Sequence, residues 1–128
     1  MNKLIIDAVD KNILFMIIGN DYIYHISHEN SKINYEKIIF LINEFLKSKN
    51  LAIRDVSILY VNQGPGSFAG IRNSLSTAKA IQLVNKIDCY YYSFEDFKEE
   101  DEIKYENIPN LCNKFKVKKN LIKPIYLS

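Results

Sequence analysis

The chain has 128 residues, 17 Lys plus Arg against 15 Asp plus Glu, and a formal net charge of +2. That length suits one domain, and a composition of 48% hydrophobic and 25% charged residues excludes a disordered chain. The near-zero charge speaks against a dedicated nucleic-acid binder held by a broad basic face.

Two cysteines, Cys89 and Cys112, are too few for a disulfide framework and too far apart for a metal knuckle. They read as small hydrophobes in a reducing compartment. The longest apolar run, Ile13 to Ile18, falls far short of the roughly 18 residues a spanning helix requires. Asp7 interrupts the N-terminal apolar stretch, which leaves no signal-peptide core of about 7–15 residues. The expectation is a cytoplasmic protein with no membrane association.

In chain order, Leu4-Ile5-Ile6, Ile13 to Ile18 and Tyr22 to Ile26 read as strands separated by polar turns, an antiparallel meander. A helix is predicted from about Tyr35 to Ser48, capped by Ser31 or Asn34 and stopped at Asn50. Ile38, Ile42 and Phe45 recur on one face, and Ile39 with Leu46 widens it. Val56 to Val61 has no alternation, as expected of a strand buried on both faces. A second helix is predicted from Ser67 to about Val84, then a buried-type strand from Ile87 to Tyr92. The order β-β-β-α-β-α-β predicts an α/β fold with a mixed sheet and right-handed crossovers.

Residues 95–106 carry seven acids and two lysines with little periodicity, the pattern of a solvated loop or linker. Ile108, Leu111, Cys112 and Phe115 then fit one short helix, opened by Pro109. Lys114, Lys116, Lys118, Lys119 and Lys123 follow. They read either as a solvated face or as contacts to RNA phosphate.

The most specific segment runs from Gly64 through Pro65, Gly66, Ser67, Phe68, Ala69, Gly70 and Ile71 to Arg72. It joins a strand to a helix, where backbone N–H groups and the helix dipole can hold phosphate. It matches neither the dinucleotide fingerprint, nor the P-loop, nor the nucleophile elbow. Two readings stand side by side: an anion site, or a tight turn with Ser67 capping the helix and Gly70 permitting close packing. The following helix is apolar over more of its circumference than a surface helix needs. Ser74, Ser76, Thr77 and Ala78 are small enough for close approach, either to the first helix or to a partner protein.

Val61 to Arg72, followed by Thr77-Ala78-Lys79, resembles the signature of the TsaB (YeaZ) family, in which Gly-Pro-Gly-Ser-Phe-Thr-Gly and an Arg precede a small-residue helix. Leu4 to Asp7, Leu41 to Leu46 and the terminal Pro124-Ile125-Tyr126-Leu127 extend the similarity. Ala69, Asn73 and Ser128 depart from the pattern, which usually has Thr, a small apolar residue and Arg there.

The resemblance implies an actin-like ATPase (ribonuclease H-like) domain at residues 1–94. In place of the family's usual second domain it leaves a charged linker at 95–106 and a helix and tail at 107–128 that pack on the first domain. It implies a non-catalytic subunit that binds TsaD and supports threonylcarbamoyl transfer to the adenosine next to the tRNA anticodon. No cofactor of its own is implied; ATP enters at the level of the complex, with TsaE, and tRNA is met indirectly.

The expected partner interface is Phe68, Ile71, Ser74, Leu75, Ala78 and Ile81, with Ile38 and Ile42 from the first helix. The alternatives are a self-associating homodimer and a degenerate phosphotransferase. Asp7 stands where actin-like ATPases carry a carboxylate, but Ala8-Val9-Asp10 lack the small and hydroxyl residues that wrap phosphate there, so a turn-capping role is expected. His25 and His28 point in opposite directions, and no metal site is expected.

Overall fold

Strands β1 (Lys3–Asp7), β2 (Asn12–Ile18) and β3 (Ile23–Glu29) form the expected antiparallel meander, with Leu4 opposite Ile17 and Phe15 opposite Ile26. The structure, a computed structural model, describes residues 1–127; the Ser128 departure lies outside the described residues. A short turn α1 (Lys32–Tyr35) precedes α2 (Ile38–Ser48), so the single expected helix is two pieces. The break has a local cause. Asn34 turns back to donate its side-chain amide to the Glu29 carbonyl, and Lys37 leaves helical geometry at φ −129°, ψ 36°. Neither Ser31 nor Asn34 caps α2. Asn50 does stop it, in the left-handed region at φ 59°.

Strand β4 (Ile58–Asn62) leads to a two-residue strand β5 (Gly66–Ser67) and the long helix α3 (Phe68–Asn85). Strand β6 (Asp88–Tyr92), α4 (Ile108–Lys114) and β7 (Tyr126–Leu127) complete the order. The main sheet runs β3-β2-β1-β4-β6, with β1–β4 and β4–β6 parallel. In it the first strand is central, which explains why Leu4, Ile5, Ile6 and Asp7 are all buried.

Alternation along the strands feeds two cores. Leu4, Ile6, Phe15, Leu59, Val61, Cys89 and Tyr91 meet α2 and α3 on one face. Ile5, Met16, Tyr60 and Tyr92 meet Phe97 and α4 on the other, so helices cover both faces. Neighbouring tyrosines pack ring on ring: Tyr22 stacks on Tyr24 at 5.1 Å and Tyr60 on Tyr90 across the sheet at 5.2 Å.

The acidic stretch after β6 is more anchored than its composition suggests. Ser93 and Asp96 cap a 3-10 turn reciprocally, and Phe97 inside it is fully buried against Tyr92 and Phe115. The Ser-x-x-Asp pattern at 93–96 was the available signal.

Candidate functional site

The glycine loop between β4 and α3 is enclosed by three segments distant in sequence. Asn62 donates its side-chain amide to Asp7 Oδ2 at 2.9 Å and accepts the Gly64 N–H at 2.9 Å. Gly64 adopts φ +118°, and a Cβ there would overlap the Ile125 carbonyl oxygen. Ile125 N–H donates to the Gln63 carbonyl at 2.8 Å, and β7 then pairs with β5 in parallel. On the other side, Ser67 N–H donates to the Val9 carbonyl at 3.0 Å. Gly70 rests against the Ala8 carbonyl and the Asn30 amide, which itself donates to Ala8 O at 2.9 Å.

The N–H groups of Gly64 and Ser67 are thus committed within the chain. Of the two readings of this loop, the geometry favours the tight junction. Ser67 occupies the N-cap position without a side-chain cap bond, a departure from the expected serine cap. Its backbone is extended and engaged with Val9 and β7 instead. Pro65 is half-buried in the loop. Phe68 packs on Tyr126 at 4.7 Å and carries the exposed Arg72 guanidinium over its ring at 5.9 Å.

Asp7 lies at the C-terminal end of the central strand, only 3% exposed. It accepts from Asn62, from Val9 N–H at 3.4 Å and from Tyr92 OH at 3.4 Å. Burial pushes its carboxyl above the usual carboxylate range, against those hydrogen bonds. It therefore acts more broadly than as the expected turn cap, tying β1, β4 and β6 together. Among the described residues no group of three His, Cys, Asp or Glu side chains comes together as a metal-ligand set.

The helix faces require a correction. Ile71, Ser74, Leu75, Ala78 and Ile81 of α3, with Ile38 and Ile42 of α2, all point into the core. Their side chains therefore do not make the partner surface; Leu75 and Ile81 reach it only as lining of the hollows beside α3. Ser74 is tolerated there because its hydroxyl donates to the Ile71 carbonyl at 2.9 Å. Of the expected interface only Phe68 is open, at 50% exposure.

The surface that does face outward is Ala80, Leu83 and Val84 of α3 beside Ile39 of α2. Leu83 is 64% and Val84 79% exposed. Shallow, mostly apolar hollows of about 540, 290 and 280 Å³ adjoin along this side of α3. The first is closed at its far edge by Ile122, Pro124 and Tyr126. The apolar character of Leu83 and Val84 was visible in the sequence; their direction was not.

A family model described as "TsaD: tRNA N6-adenosine threonylcarbamoyltransferase" matches residues 28–92. The chain is 32% identical over 65 residues to the tRNA threonylcarbamoyladenosine biosynthesis protein TsaB of Buchnera aphidicola subsp. Baizongia pistaciae, covering 44% of this chain and 29% of that protein. The chain belongs to this family, as a TsaB (YeaZ) member.

TsaB of Buchnera aphidicola subsp. Schizaphis graminum is 31% identical over 68 residues, which cover 53% of this chain and 32% of that one. The chain thus spans less than a third of the length of these curated relatives. YeaZ from Pseudomonas aeruginosa superposes with a TM-score of 0.66 at 13% identity, over 72% of this chain and 43% of that one. RuvC of T. thermophilus, in a structure with a Holliday junction substrate, gives 0.52 at 11% identity over 77% of this chain and 68% of that one. These likenesses fix the fold as actin-like and ribonuclease H-like, as the resemblance implied.

Proposed function

We propose that this TsaB-family chain is a non-catalytic subunit that docks on a TsaD-type threonylcarbamoyltransferase and supports modification of the adenosine next to the tRNA anticodon. The observation that carries the reading is the outward apolar strip of α3, Ala80, Leu83 and Val84, flanked by Ile39 of α2. Apolar groups this exposed and contiguous mark an interaction surface, and hollows beside them give a partner helix places to insert side chains. The catalytic-position carboxylate, Asp7, is sealed in and hydrogen-bonded to the scaffold, which suits a supporting subunit. The reading includes no cofactor held by this chain, with ATP and TsaE serving the complex in the cytoplasm.

Co-expression with TsaD from the same organism tests it. Wild-type chain is expected to co-purify with TsaD, and a TsaB-deficient strain to regain the modified nucleoside. Val84→Glu and Ala80→Glu are expected to lose both while melting like wild type. Retention of TsaD by both variants, or a stable homodimer that captures no TsaD, overturns the proposal.

A further inference from the structure

The lysines between α4 and β7 are held in a fixed arrangement. The end of α4 is closed by Phe115 N–H on Leu111 O and Val117 N–H on Cys112 O. Asn120 then locks the segment to β6: its N–H donates to the Cys89 carbonyl at 2.7 Å, and its side chain accepts the Cys89 N–H at 2.9 Å. Lys123 N–H donates to Gln63 Oε1 at 2.7 Å.

Two lysines of this segment are neutralised. Lys114 pairs with Glu100 at 2.6 Å and Lys119 with Asp88 at 3.3 Å. Among the described residues, Lys116, Lys118 and Lys123 have no carboxylate within ion-pair distance. All three line one hollow of about 230 Å³, floored by Phe115 and Leu121, with Asp96 its one carboxylate. One oxygen of Asp96 is occupied by the Ser93 N–H at 2.9 Å. Three lysines against one aspartate among the lining residues leave a local excess of positive charge that the chain's net +2 conceals.

We propose that Lys116, Lys118 and Lys123 form a cradle for a backbone phosphate of RNA. Lysine binds phosphate as a point charge and needs no bidentate geometry. The hollow falls below the roughly 300–1,000 Å³ range of small-molecule pockets, so a phosphodiester crossing its mouth fits better than an enclosed nucleotide. The tail serves both of its sides. Leu121 and Lys123 line the cradle, while Ile122 and Pro124 border the apolar hollow on α3. A strand held here therefore runs beside the docking face. That the phosphate is RNA's rests on the tRNA-modification reading; the cradle's geometry does not.

The test is fluorescence anisotropy of the full chain, without TsaD, against a labelled unmodified tRNA transcript. Lys116→Gln/Lys118→Gln/Lys123→Gln is expected to weaken binding about tenfold or more at about 50 mM salt. It should also flatten the slope of log K against log salt by about 2–3. The control triple Lys32→Gln/Lys37→Gln/Lys47→Gln, in α1, at the break after it and in α2, is expected to leave both within about twofold.

Equal losses in the two triples, or no loss in the first, overturn the proposal. So does complete displacement of the transcript by millimolar inorganic phosphate or adenosine monophosphate, which assigns the cradle to a free anion. Capture of TsaD, measured separately, is expected to survive the first triple, so failure here is distinguishable from failure of the docking reading.

Discussion

At its N-terminal end α3 is enclosed: Gly70 lies against the Ala8 carbonyl, Ser67 is bonded to Val9, and β7 closes over the loop. At its C-terminal end Leu83 and Val84 stand in solvent. The first region carries the residues that make the sequence recognisable, and the second carries none of them. The contrast teaches that a signature can record how a fold is locked together, while the surface offered to a partner is built from ordinary aliphatic residues a few turns along.

Substitutions at either end sharpen that contrast, beginning with the largest effect. Ala78→Glu buries an uncompensated carboxylate between helix and sheet and is expected to cost about 3–5 kcal/mol, seen as loss of the cooperative melt. Gly70→Ala sets a methyl group into the Ala8 carbonyl oxygen. It is expected to cost about 1–3 kcal/mol by chemical denaturation, with the loss carried by the enclosed end alone.

Asp7→Asn comes next and is read as pH dependence. The folded carboxyl titrates above its ordinary value of 3.8, so the folded state holds more protons and wild-type stability falls as pH rises through that window. The variant removes the fall. Melting curves of the two chains are expected to converge at acid pH and to separate in the variant's favour towards neutrality; parallel curves would refute this. Val84→Glu, at the open end, is expected to stay within about 0.5 kcal/mol of wild type, its effect confined to TsaD capture.

Much of this fold was legible because its signals are strong and local. Ile13 to Ile18 and the run ending at Val61 are apolar enough to declare buried strands, and their order selects the mixed sheet. The join after Asn62 was legible from its glycines and proline. Three things were not. The division between α1 and α2 depends on Asn34 reaching back to Glu29, a bond that helical periodicity does not report. Phe97 was masked by the acids around it.

Most consequentially, the orientation of α3 was hidden. Small residues permit close approach both to a sheet and to a partner, so Ser74 and Ala78 looked like surface when they are the inner contact. Only the backbone decides that Val84 points away. The C-terminal lysines were legible as candidate phosphate contacts, and the structure narrows them: Lys114 and Lys119 pair with Glu100 and Asp88, which singles out the other three.

The two thiols offer an internal clock for the molecule's layers. Cys89 lies in the core beneath α2 and α3, and Cys112 in the core beneath α4, each sealed from solvent and on opposite faces of one sheet. Burial raises both thiols, Cys112 to about 12, so neither presents a thiolate while its layer is shut. Each becomes alkylated only when its own layer breathes. The rates of labelling at the two positions therefore time the opening of the helical layer and of the α4 layer independently, within a single chain and without an introduced cysteine.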